Sequence, residues 1–364
     1  MSLKTVSDVL VRLDRSGLAD AVPLILAVGP YRLRLRCKGA LRAELATYFA
    51  DVLSEDDTDA IEIDILDGQP LDPAPEWQDW AREPGKTGRK DAIHDLVDGR
   101  LVFKRHTGVT FLQSDAARVA FGPVSDNPNQ VINFVNTQIL NACLREGWQI
   151  CHAAAVTSGA RTLAIAGLSG GGKSTSVLRM MDLPGTAFVT NDRLMVRGGA
   201  PLPIALGIPK HPRINPGTIL HNARLHRLLT PERLTELAAM PPEDLWHLEE
   251  KHDLIVPDIY GPGRLNLTAP LSDFWVLNWQ RDSTDPTAVT DVDLSDRPDL
   301  LDAIMKSPGP FYSDAAGRFQ TDRTPLDPAA YITALAHVRV REVTGRIDFD
   351  ALFEEGRRLF GATR

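Results

Sequence analysis

Cysteine is scarce in this sequence of 364 residues. The chain has three cysteines, Cys37, Cys143 and Cys151, and no two of them form a CxxC pair. Disulfide frameworks and structural zinc sites need more cysteines at close spacing. The sequence therefore predicts a protein without disulfides or a cysteine-ligated zinc ion, which is typical of a reducing compartment.

Long hydrophobic runs are also missing. A membrane-spanning helix needs about 18 consecutive apolar residues, and no stretch of this chain has them. The N-terminal segment carries Asp8, Asp14 and Asp20 around the short apolar run 22–28. A secretory signal begins instead with basic residues and has a longer apolar stretch. We therefore expect a cytoplasmic protein that does not bind membranes.

The sequence has no excess of positive charge. It contains 40 Lys and Arg against 48 Asp and Glu, which gives a formal net charge of −8. Proteins that bind nucleic acid usually present a basic face to the phosphates, so we expect no nucleic-acid partner. The length exceeds what one compact core usually supports and predicts two domains.

The first part of the chain shows the period of strands. Segment 31–37 alternates between apolar residues and arginines, which predicts a half-buried strand. A second strand is predicted at 61–65, where isoleucines alternate with Glu62 and Asp64. We expect the arginine face to pair with these carboxylates across the strands. Binding of an anionic partner is the alternative.

A domain boundary is predicted near residue 90. Residues 67–91 lose this periodicity and are rich in proline, glycine and charge, which is typical of a linker. We expect a small α+β module at 1–90 and a second domain at 91–364. Because strand and helix patterns alternate in the second segment, the predicted fold class is α/β.

The most specific pattern in the sequence is a complete GxxxxGK[ST] phosphate loop. An apolar strand at 162–166 precedes it, and a helical pattern at 174–181 follows it. The candidate nucleotide-binding residues are Gly167, Leu168, Ser169, Gly170, Gly171, Gly172, Lys173, Ser174 and Thr175.

Each part of this loop has a physical purpose. Glycines let successive backbone N–H groups converge on phosphate oxygens, and the helix N-terminus adds a positive dipole. Lys173 is expected to contact the β- and γ-phosphates, and the Ser174 hydroxyl to bind Mg²⁺. The sequence therefore predicts binding of ATP with Mg²⁺. The alternative is a glycine-rich turn without a ligand.

A second magnesium ligand is predicted at Asp192. This residue ends the apolar strand 187–190, and 18 residues lie between it and Lys173. So short a connection predicts that this strand returns directly beside the strand before the loop, in a right-handed βαβ unit. The alternative is that Asp192 caps its own turn.

These residues resemble a known family. Segments 152–156, 163–175 and 189–192 resemble the catalytic core of HPr kinase/phosphorylase, most closely the HprK-related kinase B group. That core is similar in turn to ATP-dependent phosphoenolpyruvate carboxykinase. The dense part of the match covers 150–195, and a looser one extends over 115–300. Residues 1–90 show no such resemblance.

The resemblance implies ATP- and Mg²⁺-dependent phosphoryl transfer to a hydroxyl, typically a protein serine. It implies that Lys173 and Asp192 are catalytic and that His152 lies near the acidic pair. A buried structural imidazole is the alternative for His152. The family's relatives often form closed rings, so a homo-oligomer is expected.

Two departures from the family pattern change the expected chemistry. The family carries two adjacent aspartates where this chain has Asn191 and Asp192. The first is the general base in the family, and an amide cannot accept a proton at neutral pH. The family's later glutamate-arginine-glycine signature is not recognisable. Its nearest counterparts are Lys210 and Arg213, which are candidates for phosphate or acidic substrate unless they are simply solvated.

The sequence therefore predicts a kinase that transfers the γ-phosphoryl group of ATP to a Ser or Thr of a partner protein. The first alternative is a small-molecule kinase that acts on an amino acid or organic acid with the same core. The second is a regulatory ATP-binding module without transfer, for which Asn191 is the supporting feature.

Overall fold

The computed structural model describes residues 3–81, 88–167, 171–248 and 250–361. The chain is mixed α/β and contains several sheets, so the expected α/β class is confirmed. Within these ranges, none of the helices combines the length and the hydropathy that crossing a membrane requires. The chain divides into two compact units, which are residues 1–147 with 307–326 and residues 148–306 with 327–364.

The first unit is built on one eight-stranded sheet. Its strands are β1 (Leu24–Val28), β2 (Tyr31–Arg36), β3 (Ile61–Asp67), β4 (Gln78–Asp79), β5 (Asp91–Asp95), β6 (Arg100–Lys104), β7 (Thr110–Gln113) and β8 (Arg118–Gly122). Its helices are α1 (Val6–Leu10), α2 (Gly39–Tyr48) and α3 (Pro128–Arg145). The strand order is β1-β2-β3-β8-β7-β6-β5-β4. The pairs β2–β3 and β3–β8 are parallel, and the others are antiparallel.

The structure divides the chain at a different place from the boundary expected near residue 90. Strand β3 precedes that position and β8 follows it, yet the two pair from Asp64↔Val119 to Asp67↔Gly122. The described residues of the proline- and glycine-rich stretch 67–91 therefore belong to this one sheet and its connections, and they include β4. Such a composition indicates irregular backbone, and it does not tell whether the strands on either side pair with each other.

The arginine face of β2 pairs with carboxylates, as the alternating pattern predicts. Parallel pairing of β2 and β3 places Arg36 opposite Asp64, and Arg36 Nε donates to Asp64 Oδ1 at 2.7 Å. Arg32 pairs with Asp56 at 2.9 Å. The other face of β2 is buried because its residues are apolar.

The second unit contains the phosphate loop. Its strands are β9 (Gln149–Cys151), β10 (Ala153–Thr157), β11 (Thr162–Gly167), β12 (Ala187–Thr190), β13 (Leu194–Arg197), β14 (Ile204–Gly207), β15 (Arg213–Ile214), β16 (His252–Asp253), β17 (Thr268–Pro270), β18 (Asp273–Leu277), β19 (Ala288–Asp291) and β20 (Arg339–Thr344). Its helices are α4 (Lys173–Met180), α5 (Pro216–Leu220), α6 (Pro231–Ala239), α7 (Pro242–His247), α8 (Val256–Tyr260), α9 (Pro298–Ile304), α10 (Pro328–Ala334) and α11 (Phe349–Leu359).

Two sheets of this unit position the candidate site. The six-stranded sheet has the order β12-β10-β11-β18-β20-β19, and the four-stranded sheet has the order β17-β14-β13-β9. Strands β10, β11 and β18 of the six-stranded sheet are buried on both faces. Ala154 and Val156 of β10 pack in one apolar cluster with residues of α4 and α11. Ala153 and Ala155 pack in another cluster with residues of α9 and α10.

The predicted βαβ neighbours are not adjacent. Strand β12 pairs with β10, and β10 pairs with β11, so β10 lies between the two strands that α4 connects. The direct pairing of β11 with β12 that the short connection predicts is therefore wrong. The reason is local: β10 and β11 form a hairpin through the turn at 158–161, so β10 already occupies that edge of β11.

Candidate functional site

The phosphate loop connects a fully buried strand to a helix, as its sequence context predicts. Strand β11 ends at Gly167, and α4 begins at Lys173. Leu168, Ser169 and Gly170 lie outside the described residues. The Lys173 Nζ atom donates to the Gly167 carbonyl oxygen at 2.9 Å, so the ammonium group lies at the carboxyl end of β11. A cation at this position is placed to meet a phosphate held by the loop.

Two glycines of the loop occupy positions that a side chain would disturb. A Cβ atom on Gly167 would lie 2.9 Å from the Cβ atom of Leu277. Gly172 has a φ of 89° and immediately precedes α4. A Cβ atom there would lie 2.7 Å from the ring of Phe349. The backbone can adopt this conformation only because these residues lack side chains.

The first turn of α4 is anchored by a pair of hydroxyl groups. Thr175 Oγ1 lies 2.8 Å from Thr218 Oγ1, which belongs to α5. Ser174, the candidate magnesium ligand, precedes Thr175 in the same turn and is half-buried. The hydroxyl pair therefore fixes the helix end at which the phosphate loop closes.

The structure brings His152 and Asp192 together at a point where two strands change sheets. His152 separates β9, in the four-stranded sheet, from β10, in the six-stranded sheet. Residues 191–193 separate β12, in the six-stranded sheet, from β13, in the four-stranded sheet. The pairs Ala155↔Thr190 and Cys151↔Leu194 then hold the two crossings side by side.

Asp192 lies close to a histidine and an arginine. His152 Nε2 is 3.4 Å from Asp192 Oδ1, and Arg193 Nε is 3.8 Å from Asp192 Oδ2. Desolvation by burial would raise the pKa of Asp192, but the His152 contact and the charges of Arg193, His152 and Lys306 outweigh it and lower that pKa. Asp192 is therefore ionised at neutral pH and can bind a cation.

Asn191 contributes a buried oxygen without a partner among the described residues. Its Oδ1 atom accepts no hydrogen bond there. Close backbone packing surrounds this position, because Gly207 of β14 lies so near β12 that a Cβ atom would be 1.9 Å from the Val189 carbonyl oxygen. Buried acceptors normally find a donor, so this oxygen is suited to a ligand, a water molecule or a hydrated metal ion.

The phosphate loop and residues 191–193 lie at the same end of the six-stranded sheet. Ala153 of β10 is opposite Ala166, and Ala155 of β10 is opposite Thr190. The carboxyl ends of β11 and β12 are thus separated by one strand, which corresponds to about 10 Å. Ligands of α/β proteins bind outside the carboxyl ends of strands, so these residues form one candidate site.

Lys210 and Arg213 differ in their surroundings. Arg213 is exposed, and its Nε atom lies 2.8 Å from Asp253 Oδ1 in the short β15–β16 ladder. Lys210 is half-buried and follows three residues after Gly207. An arginine with a neighbouring carboxylate is partly neutralised before any substrate arrives. Arg213 is therefore poorly placed to receive an anionic substrate.

Sequence reasoning missed several residues that contact the candidate site. Trp279 Nε1 donates to the Gly171 carbonyl oxygen at 3.0 Å, and Phe349 contacts Gly172. Both are more than a hundred positions from the loop in sequence and have no local pattern that marks them. Arg193 follows Asp192 in the sequence, so its proximity to that carboxylate can be read from the sequence. The proximity of Lys306 to Asp192 cannot, because it depends on the path of the chain after α9.

The side chains present fit a magnesium ion. Mg²⁺ takes oxygen ligands, commonly one or two protein groups together with phosphate oxygens and water. The Ser174 hydroxyl and the Asp192 carboxylate are such groups, and the Asn191 amide oxygen lies next to Asp192 without a protein donor among the described residues. In those same ranges, no three His, Cys, Asp or Glu side chains cluster as a metal site. Most of the remaining ligands would therefore come from nucleotide and water.

Comparison with known proteins finds similarity among solved structures. No family model matches the chain, and no curated protein matches it. Among solved structures, the chain is similar to the Hpr(Ser) kinase/phosphatase from Coxiella burnetii, with 14% sequence identity over 59% of this chain and 99% of that chain. The TM-score is 0.27.

Proposed function

We propose that this protein is an ATP- and Mg²⁺-dependent kinase that transfers the γ-phosphoryl group to a hydroxyl, most specifically to a Ser or Thr of a partner protein. One observation carries the proposal. A complete phosphate-loop sequence, with Lys173 at the end of β11, lies at the same end of the six-stranded sheet as Asp192. The resemblance of 150–195 to HPr kinase/phosphorylase supports transfer to a protein hydroxyl.

The proposed roles follow from charge and position. Backbone N–H groups of the loop and the start of α4 bind the phosphates, and Lys173 neutralises charge on the β- and γ-oxygens. Ser174 and Asp192 would hold the magnesium ion, which would supply the remaining positive charge when bound. His152, 3.4 Å from Asp192, orients that carboxylate or receives the acceptor's proton.

Asn191 distinguishes this site from one with two aspartates. Phosphoryl transfer has a loose transition state, so positioning and cationic charge supply most of the rate. A missing general base typically costs ~10²–10⁴-fold. We infer that the protein is a slow kinase with little or no phosphorylase activity. In phosphorolysis of a phosphoserine, the group at the Asn191 position must protonate the leaving serine oxygen or receive a proton from the attacking inorganic phosphate, and an amide can do neither.

Nucleotide binding is tested by thermal stabilisation. Mg·ATP at about 100 times its Kd should stabilise the fold by roughly 2.7 kcal/mol. Lys173→Ala should remove most of this effect, because the loop loses its phosphate-binding ammonium group. Lys251→Ala, which removes an exposed lysine of the same unit, is the matched control. An unchanged melting temperature of the wild-type protein with saturating Mg·ATP would contradict the proposal.

Transfer and its acceptor need a separate experiment. Wild-type protein and Lys173→Ala are incubated with γ-labelled ATP, Mg²⁺ and fractions of native lysate, and labelled species are identified. A labelled protein band that depends on Lys173 supports the kinase with a protein acceptor. A labelled metabolite supports the small-molecule kinase. Nucleotide binding without label or ADP in any fraction supports the regulatory module, which Asn191 favours.

A further inference from the structure

The Trp279 side chain hydrogen-bonds to the backbone at the end of the phosphate loop, at Gly171. Its indole N–H donates to the Gly171 carbonyl oxygen at 3.0 Å. Trp279 lies two residues after the end of β18, and β18 is parallel and adjacent to β11. The bond therefore joins the loop to the neighbouring strand of the sheet.

The position of this indole is fixed from several sides. The N–H groups of Asn278 and Gln280, which flank Trp279, donate to Val343 O at 2.9 Å and Gly345 O at 2.8 Å. The ring of Trp279 packs edge-to-face on Phe349, with centroids 5.1 Å apart. Trp279 is 8% exposed. A donor held this firmly can impose an orientation on the peptide that it binds.

That orientation matters because of peptide geometry. The Gly171 carbonyl and the Gly172 N–H belong to one planar peptide, which is trans. In a trans peptide the C=O and N–H bonds point in opposite directions. Holding the carbonyl toward Trp279 therefore directs the Gly172 N–H away from the indole. The Gly172 carbonyl accepts from Ser176 N at 2.8 Å, whereas no acceptor for the Gly172 N–H is found within the described ranges.

We propose that Trp279 is a positioning residue for the phosphate loop, which holds the Gly171–Gly172 peptide so that the Gly172 N–H faces the bound phosphate. The inference rests on the proposed nucleotide binding and adds a residue outside the loop motif. Phe349 supports the same geometry, because it packs against Trp279 and lies where a Gly172 side chain would be. The ligand group that the Gly172 N–H would bind is a phosphate of the nucleotide.

The variant Trp279→Phe tests this role because it keeps an aromatic ring against Phe349 and removes the N–H donor. The matched control is Trp275→Phe, on β18 itself. Trp275 is fully buried, and its Nε1 atom has no hydrogen-bond partner among the described residues. Both variants lose the same atoms, but only the first loses a hydrogen bond to the loop.

The first measurement is the Kd of Mg·ADP by calorimetry, together with the melting temperature without nucleotide. We expect Trp279→Phe to raise the Kd by about 5- to 10-fold, which corresponds to one lost hydrogen bond. Trp275→Phe should change the Kd by less than about 2-fold while it lowers the melting temperature, because it leaves a cavity in the core. If Trp279 had a purely structural role, Trp279→Phe would raise the Kd and lower the melting temperature together.

The second measurement is tryptophan emission during titration with Mg·ADP. Since the indole N–H of Trp279 binds the loop, emission should change on binding in the wild-type protein and in Trp275→Phe, but not in Trp279→Phe. Wild-type affinity in Trp279→Phe would overturn this inference and leave the nucleotide site intact. Absence of Mg·ADP binding to the wild-type protein would overturn the proposed function as well. If Trp279→Phe does not fold, the wild-type titration still tests the inference. Tryptophan emission of the wild-type protein that stays constant up to saturation with Mg·ADP would overturn it.

Discussion

Two carboxylates, one in each unit, have opposite relations to the cations around them. Asp64 of β3 is buried, and each of its oxygens is used: Arg36 donates to both at 2.7 and 3.0 Å, and Arg15 Nε donates to Oδ2 at 2.9 Å. The Asp192 side chain is about half exposed, and its nearest basic groups are His152 Nε2 at 3.4 Å and Arg193 Nε at 3.8 Å.

The difference separates a structural ion pair from a carboxylate that a ligand can still reach. Short, multiple hydrogen bonds satisfy Asp64, so a ligand would have to break them. The contacts of Asp192 are at or beyond hydrogen-bond length, and the Asn191 oxygen beside it has no donor in the described chain. Cations therefore keep Asp192 ionised without occupying it.

The largest effect is expected for Asp192→Asn. Removal of the charge that holds magnesium should lower phosphoryl transfer by about 10²- to 10³-fold, as loss of an electrostatic group at a reacting phosphate does. The unfolding free energy without nucleotide should change by less than about 1 kcal/mol, because half-exposed ion pairs contribute little. ADP release and urea unfolding measure the two quantities. A large loss of stability would mean that Asp192 is a structural residue like Asp64.

Asp64→Asn should reverse this pattern. The substitution leaves Arg36 and Arg15 without their charged partner, and breaking such a buried pair is strongly destabilising. Because both arginines are partly exposed, we expect a loss of about 2 kcal/mol in the free energy of unfolding. The Kd of Mg·ADP should remain unchanged in folded protein. Weaker nucleotide binding in this variant would show that the comparison between the two carboxylates fails.

Asn191→Asp should raise transfer by about 10-fold, which is less than the ~10²–10⁴-fold that a well-positioned general base supplies. The introduced carboxyl can accept the proton that the amide cannot. Asn191→Ala is the control, because it removes the amide without adding a base and should not raise the rate. Initial rates with labelled ATP decide the matter. An inactive Asn191→Asp variant would show that the roles of Asn191 and Asp192 are wrongly assigned.

The smallest effect is expected for Arg32→Gln in the first unit. Arg32 and Asp56 form a pair 2.9 Å apart, with half of the Asp56 side chain exposed. Exposed ion pairs contribute about 0–1 kcal/mol. Urea unfolding should therefore show that Arg32→Gln lowers the free energy of unfolding by an amount in that range, and the loss should be smaller at high salt. A loss comparable to that of Asp64→Asn would mean that exposure does not distinguish the pairs on this face.

Local patterns predicted the elements well where the period was strong. The alternation at 31–37 corresponds to β2, and the alternation at 61–65 lies within β3. The apolar run before the phosphate loop is β11, and the helical pattern after it is α4. These predictions depend on side-chain periodicity and on glycine conformations, which neighbouring residues determine.

Strand neighbours could not be read from the same patterns. Spacing alone placed β12 beside β11, but the β10–β11 hairpin occupies that edge of β11. Composition alone placed a domain boundary near residue 90, but the pairing of β3 with β8 continues one sheet across that position. Pairing depends on which edges are free when the sheet forms, and that is a property of the whole fold.

By itself, the sequence determined the phosphate loop, the candidate residues Lys173, Ser174 and Asp192, and the departure at Asn191. Each depends on residue type and on spacing along the chain. The family resemblance implied that His152 lies near Asp192, and the structure places the two side chains 3.4 Å apart. Only the tertiary structure decided that Trp279 holds Gly171. Those contacts arise where strands cross between sheets or end beside one another, and residues far apart in sequence meet there because the backbone hydrogen bonds of the sheets bring them together.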